Sequence, residues 1–402
     1  MKSKNAAAWA AQFVKREAVL CAAVVLAAVS TCVVRPSLAA VNAAIDRRVL
    51  ALLFCLMLII QAFRSLSVLD AAADFLLKRC AGVRSVYAAF VALIFASSLF
   101  VTNDVALLTF VPVSLAVCRR SGIDPVPLVI LETLAANLGS CVTPMGNPQN
   151  LFLYSFYRME PAAFFRTTLL IALPSVFLLA AAVLWVTRAR PPVSVSTRFR
   201  GAGAASAAGV SAAVRTAGDR ARLAAYTVAL AVILLAVFRV VDYPVCMALS
   251  AAVVAVCNFR LFARVDYGLL LTFAAFFLFT ENISLLPDIS AALQSALDSR
   301  FAVYMGGIAA SQVISNVPAA LLLSGFTDYG RELLLGVNVG GLGTLIASLA
   351  SVISYKLYSA AAAETEDARA HGSGRYLLQF TVYNLIFLAV LIPLVYVLSL
   401  RG

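Results

Sequence analysis

Charge is scarce in this chain. Only 12% of its 402 residues are charged, 63% are hydrophobic, and the mean hydropathy is +0.96. A soluble domain carries roughly 25% charge, so the composition excludes a soluble fold and leaves an integral membrane protein. Histidine occurs once, which removes most histidine-based metal sites. The eight cysteines show no Cys-x-x-Cys spacing and lie in or beside apolar runs, as small buried hydrophobes do. No Gly-x-x-x-x-Gly-Lys-Ser/Thr loop is present, which argues against ATP-driven pumping, and neither His-Glu-x-x-His nor Gly-x-Ser-x-Gly occurs to support a membrane protease or lipase. No cofactor motif is found. The net charge of +12 does not describe a nucleic-acid surface, because the basic residues sit in short loops between apolar spans. That is the topology signal of membrane proteins.

What is present centres on Asn137-Leu-Gly-Ser-Cys-Val-Thr-Pro-Met-Gly-Asn-Pro-Gln-Asn150, set between apolar segments. A membrane helix cannot run through Pro144, Gly146 and Pro148 unbroken, since proline removes an amide donor and clashes with the preceding turn. Freed carbonyls in lipid cost several kcal/mol each unless protein or a wet cavity satisfies them. The stretch therefore predicts a helix broken at a binding site, with Asn137, Ser140, Thr143, Asn147, Gln149 and Asn150 facing a polar ligand. The second half repeats the feature. Asn338-Val-Gly-Gly-Leu-Gly-Thr344 aligns without gaps on Asn137–Thr143, and brings Gly340, Gly341 and Gly343 to a second break. Upstream of each lies a polar interruption in an apolar run: Thr102-Asn103-Asp104 in one half, Ser315-Asn316-Val317-Pro318 in the other. Recurrence in the same order points to a secondary transporter with a midplane site.

In chain order, Ala18–Val34 behind Lys2, Lys4, Lys15 and Arg16 has the pattern of a cleaved signal peptide, although a chain with so many later spans favours an uncleaved first helix. A half-helix is expected near Pro36–Ile45. Val49–Leu69 is a span, and Ala71–Arg84 a surface segment. Val86–Val117 is too long for one upright crossing and has basic residues at both ends, which describes a re-entrant hairpin with its tip at Asn103. Pro127–Tyr157 is the broken helix and Ala163–Thr187 a full span. Arg188–Arg222, with seven Arg and one Asp, is a cytoplasmic linker. It separates an N-terminal half (1–187) from a C-terminal half (223–402). Leu223–Phe238, Pro244–Asn258 and Tyr267–Thr280 are spans, and Pro287–Asp298 is a surface segment. Phe301–Phe326 is the second hairpin, Leu333–Tyr358 the second broken helix and Tyr376–Leu398 the last span. With the linker inside, the count is nine crossings and two hairpins, N-terminus cytoplasmic and C-terminus outside. The expected fold is an all-α polytopic membrane protein built of two inverted repeats, each with a re-entrant hairpin and a broken transmembrane helix.

At a hairpin tip the second arm presents its helix N-terminus, with free amides and a positive dipole end. Two such tips meeting make an anion site that needs no Lys or Arg. Asp104, Ser315 and Asn316 are equally good N-caps, so capping stands beside ligand contact as a reading of the same residues. Embedded carboxylates are few: Asp104, Glu132 and Glu281. Each is costly in hydrocarbon and is a functional candidate on that ground. Asp104, in the tip itself, suits a proton or cation role, with Glu132 as a second candidate for coupling.

Four segments together, FVTNDVALLTFVP (100–112), NLGSCVTPMGNPQNLFL (137–153), SQVISNVPAALLL (311–323) and VNVGGLGTLIASLAS (337–351), resemble the ion transporter superfamily. That grouping holds arsenite permeases, divalent-anion/sodium symporters, citrate carriers and one type of sodium–proton antiporter. The nearest likeness is to bacterial anion permeases of the arsenite-permease-like branch. The resemblance implies that both tips and both breaks form the substrate and sodium sites: Thr102–Asp104, Ser315–Val317, the Thr143–Asn150 run and the Asn338–Thr344 run. Asp104 and Val317 stand where the dicarboxylate branch has the Thr that holds a substrate carboxylate, which argues against dicarboxylate transport. Some branches are homodimers. The expectation is a secondary transporter of the inner membrane, moving a small inorganic or organic anion with sodium or protons. The alternatives are a cation/proton antiporter that uses Asp104, and a membrane enzyme or receptor without transport.

Overall fold

The computed structural model describes residues 17–77, 80, 82–188, 216–363 and 372–401. The basic N-terminal residues, Lys78–Arg79 and most of the linker lie outside the described residues. Within them the chain is helical, without strands. The helices are α1 (Ala18–Val34), α2 (Leu38–Ala44), α3 (Arg47–Ser65), α4 (Val68–Leu77), α5 (Val83–Ser97), α6 (Asn103–Ser121), α7 (Pro125–Ser140), α8 (Pro148–Phe156) and α9 (Pro161–Thr187). After the linker come α10 (Ala217–Val237), α11 (Tyr243–Asn258), α12 (Tyr267–Ser284), α13 (Pro287–Ala296), α14 (Arg300–Ile314), α15 (Asn316–Ser324), α16 (Gly330–Gly340), α17 (Leu349–Ala363) and α18 (Gly372–Ser399).

Six helices, those beginning at Arg47, Pro161, Ala217, Tyr243, Tyr267 and Ser373, are long and apolar enough to cross a bilayer. In five of them less than a third of the apolar window is buried inside the protein. Phe177 is 74% exposed and Val256 88%. A helix apolar all round, with its outer face uncovered, is stable only where that face meets lipid. The chain is an all-α polytopic membrane protein.

The breaks fall where the backbone chemistry demands. Asp124 caps α7 by accepting from Val126 N at 3.1 Å, with Pro125 in the first turn. α7 stops at Ser140, and α8 restarts behind Asn147, whose Oδ1 accepts from Asn150 N at 2.9 Å. In the second half α16 ends among glycines, and Gly343 takes φ +111°, a backbone that side chains rarely allow. The helix α5 and the longer α6 both pack on α7, and α14 and α15 both pack on α16. Several boundaries lie a few residues from expectation, and one of these shifts has a clear local cause. α10 begins at Ala217 rather than Leu223, because Thr216 and Asp219 form a capping box, with Asp219 N donating to Thr216 Oγ1 at 3.0 Å. The last residues assigned to the linker are therefore helical.

Two apolar cores result. One gathers α5, α6, α7, α9, α17 and α18; the other gathers α1, α3, α8, α10, α11, α12 and α15. The broken helices join them. α7 lies in the first core and its continuation α8 in the second, while α16 contributes to both.

Candidate functional site

Both breaks and both tips converge in the interior between these cores. Asn103 is 5% exposed, and its Nδ2 donates to Asn137 Oδ1 at 3.1 Å. Its backbone N–H donates to Gly146 O at 3.3 Å. The first tip is thus tied to both ends of the first break. Asn150 Nδ2 donates to the carbonyls of Cys141 at 3.0 Å and Thr143 at 3.2 Å, which satisfies groups that the missing helical turn left open. Ser140 Oγ donates to Asn137 O at 2.9 Å. Pro144 and Gly146 form the buried turn, and Gly146 approaches Ser140 so closely that a Cβ would stand 2.2 Å from its carbonyl oxygen.

The two halves then exchange hydrogen bonds reciprocally. Asn338 Oδ1 accepts from Asn147 Nδ2 at 3.2 Å, and Asn137 Oδ1 accepts from Ser348 Oγ at 2.9 Å. Asn338 Nδ2 donates to Asn150 Oδ1 at 2.7 Å, and Asn137 Nδ2 lies 3.5 Å from Ser351 Oγ. In the ungapped register that sets Asn137 on Asn338, Asn147 falls on Ser348 and Asn150 on Ser351. Each break reaches the other through the same two positions. The threonines follow suit. Thr143 Oγ1 donates to Leu99 O, and Thr344 Oγ1 to Gln312 O at 3.1 Å. Leu99 and Gln312 precede the tip asparagines Asn103 and Asn316 by the same interval. The glycines agree as well: Gly139 lies against the backbone of Phe95, and Gly340 against that of Ile308, again at matching places before the tips.

The second tip is built differently in detail. Ser315 adopts φ +74°, and its Oγ donates to Ala347 O at 3.4 Å. Asn316 is 5% exposed, with its Nδ2 beside Gly341, where a Cβ would come within 2.8 Å. Val317 packs into the second core. No side chain caps α6 through Thr102 or α15 through Ser315. Asn103 Oδ1 accepts from the adjacent Asp104 N at 3.0 Å. Capping thus fails to account for Ser315, and the start of α15 is left without a side-chain acceptor.

Several participants escaped the sequence. Gln312 donates to Gly340 O at 2.7 Å and Leu342 O at 2.9 Å, and accepts from Thr344 N at 2.9 Å. Asn384 of α18 accepts from Gly343 N at 3.1 Å, and Thr168 of α9 donates to Val142 O at 3.0 Å. Ser348 and Ser351 complete the exchange. A carboxamide inside an apolar run is itself a signal, and extending the Asn137–Asn338 register would have reached both serines.

A cavity of about 160 Å³ opens beside the first tip, lined by Thr102, Asp104, Asn147, Pro148 and, from other elements, Gln61, Arg64 and Asp266. Asp104 Oδ1 is buried without a hydrogen-bond partner among the described residues. A second cavity, of about 460 Å³, lies at the far end of α8 and is lined by Phe152, Phe156, Phe277 and the exposed Glu281. Leu151 faces the first cavity and Phe152 the second, and the Phe152 and Phe277 rings meet at 5.6 Å. Glu132 lies apart from both, buried between α7 and α6.

Comparison with known proteins places the chain among membrane transporters. The profile of a family described as "Citrate transporter" matches residues 7–327. A protein of Methanocaldococcus jannaschii described as an uncharacterized transporter is 29% identical over 311 residues, 76% of this chain and 79% of its own. The inner membrane protein YbiR of Escherichia coli K12 is 30% identical over 261 residues, 65% of this chain and 66% of its own. The magnetosome protein MamN of Paramagnetospirillum magneticum is 48% identical over 58 residues, which is 14% of this chain and 13% of its own.

Proposed function

The chain belongs to the citrate transporter family, and from that premise we propose that it is a secondary active transporter, moving a small anionic solute across the inner membrane with a proton or sodium ion. The observation that carries this reading is the reciprocal network of Asn137, Asn147, Asn150 and Asn338. It holds two helix interruptions together beside the N-termini of two further helices, and the start of α15, which no side chain caps, leaves amide N–H groups to an anion without Lys or Arg. An enzyme has no use for two matched breaks. The same network supports two matched repeats, and the basic loops support their opposite orientation, with the N-terminus cytoplasmic and the C-terminus outside.

The cavity charges support coupling. Asp104 and Asp266 oppose a single Arg64 among the lining residues. An anion entering beside two carboxylates meets repulsion unless a cation or proton enters with it. Asp104 is the group placed to receive it. A cation/proton antiporter would use the same carboxylate, and the difference is whether an anion moves.

Purified protein in liposomes, offered arsenite, sulfate, phosphate, citrate or succinate with and without sodium, separates these readings. Ligand binding raises the melting temperature by mass action. A shift with one anion that requires sodium or low pH supports symport. A shift with sodium or lithium alone, and with no anion, turns the assignment to the antiporter. If the tips line one site, Asn103→Ala and Asn316→Ala should each abolish uptake while the protein still inserts into the membrane. Wild-type uptake by both variants would overturn the site. Asp104→Asn should flatten the dependence of uptake on the coupling cation, and an unchanged dependence would remove Asp104 from that role.

A further inference from the structure

Away from the tips, α6 and α7 enclose a second ionisable group. Glu132 is 0% exposed, as is its neighbour Ser114 of α6. Glu132 Oε2 lies 2.9 Å from Ser114 Oγ, and Ser114 Oγ also lies 3.0 Å from the carbonyl oxygen of Val111. A serine hydroxyl has one hydrogen, and a carbonyl can only accept. Ser114 can share that one hydrogen between Val111 O and Glu132 Oε2, or give it to Val111 and accept one from Glu132; only the second arrangement makes each contact a full hydrogen bond. Glu132 then carries a proton. Its other oxygen, Oε1, is buried without a partner among the described residues. An ionised carboxylate so placed would lack the donors or cation that offset its desolvation, at a cost of several kcal/mol.

The surroundings supply no countercharge. From α18 the phenol of Tyr376 faces Glu132, with its hydroxyl 3.3 Å from Ser354 Oγ of α17 and close to Thr133. Tyr358 of α17 stacks on Tyr376 at 4.8 Å. Arg375 is turned away, paired with Asp124 at the start of α7. Ser114 is the group that α6 presents, and no charged side chain among the described residues acts on Glu132.

We propose that Glu132 is a proton-binding site, separate from the tip carboxylate Asp104, loaded in the packing seen here and emptied only when α6 and α7 part at Ser114. The step is a simple proton transfer: the Glu132 O–H bond breaks and water admitted between the helices takes the proton. The same two helices carry Asn103 and Asn137, joined at 3.1 Å. Separation at Ser114 therefore reaches the first tip, and the state of the proton is linked to the state of the site. The protonation itself is independent of the transport reading. Its use in driving solute rests on that reading.

Infrared spectroscopy of the protein in lipid tests the assignment directly. At pH 7 the wild type should show the carbonyl stretch of a buried protonated carboxylic acid, Glu132→Gln should lose that band, and Ser114→Ala should shift it. Glu132→Gln keeps the shape and a donor toward Ser114, so its melting temperature should stay near that of the wild type. In liposomes its accumulation under a pH gradient should fall to the level reached without one. Absence of the band in the wild type, its survival in Glu132→Gln, or full gradient-driven accumulation by Glu132→Gln would each overturn the proposal. A wild type with the band that moves no solute would refute the transport reading and leave the protonated site established.

Discussion

Asn338→Ala is expected to abolish uptake and to destabilise the protein by about 2–3 kcal/mol, the cost of leaving buried polar atoms without partners. The side chain joins the two halves. Its Nδ2 donates to Asn150 Oδ1 at 2.7 Å and to Leu334 O at 2.8 Å, and its Oδ1 accepts from Asn147 at 3.2 Å. Asn150 would keep its own donations to the carbonyls of Cys141 and Thr143, so the first break should hold its local shape. The lost element is the bridge. Asn150 Oδ1 would be left bare in a region where Asn150 is 0% exposed, and Asn147 would keep only Ser140 and its capping bond. Melting curves in detergent and uptake in liposomes measure the two effects separately. Asn137→Ala should behave alike, because Asn137 takes the same part toward Asn103 and Ser348. A wild-type rate in either variant would show that the bridge is not needed for transport.

Gly139→Ala should sharply reduce the amount of folded protein, because its added methyl presses on the backbone of a neighbouring helix. A Cβ there would stand 2.4 Å from Phe95 O and 2.9 Å from Phe95 Cα. Both are backbone atoms, so α5 itself must move, and overpacking of this kind costs about 1–3 kcal/mol or more. Gly340→Ala meets Ile308 Cα at 2.8 Å and Ser311 Cβ at 2.9 Å, and should be damaging in the same way. Gly374→Ala is the control. Nothing lies within 4 Å of its added methyl, and within a helix alanine is favoured over glycine by about 1 kcal/mol. Size-exclusion profiles and melting temperatures of the three variants test the contrast. An unaltered Gly139→Ala protein would mean that the first arm does not lie against the broken helix this closely.

Much of this molecule is legible without coordinates, for reasons that are local. Hydropathy marks the spans because lipid tolerates little else. Pro144, Pro148 and the glycines of 340–343 mark the breaks because a helix cannot carry them and stay satisfied. The interruptions at 102–104 and 315–318 mark the arm boundaries for the same reason, and helices do begin at Asn103 and Asn316. What local chemistry leaves open is which of several capable residues is used. Ser315 has the composition of an N-cap and does not act as one, because its backbone takes φ +74° and its hydroxyl turns to Ala347. Asn147, by contrast, both caps α8 and reaches Asn338.

The sequence by itself determined that this is an all-helical membrane protein with two matched interruptions, since both follow from the cost of unsatisfied backbone in hydrocarbon. Only the tertiary structure decided how the interruptions meet. The exchange of Asn147 and Asn150 with Asn338, and of Ser348 and Ser351 with Asn137, joins residues far apart in the chain, and no periodicity encodes a side chain's partner across such distances. It likewise set Glu132 against Ser114 rather than against lipid or water. A buried acid takes its protonation from what surrounds it, and what surrounds it is assembled only when the helices pack.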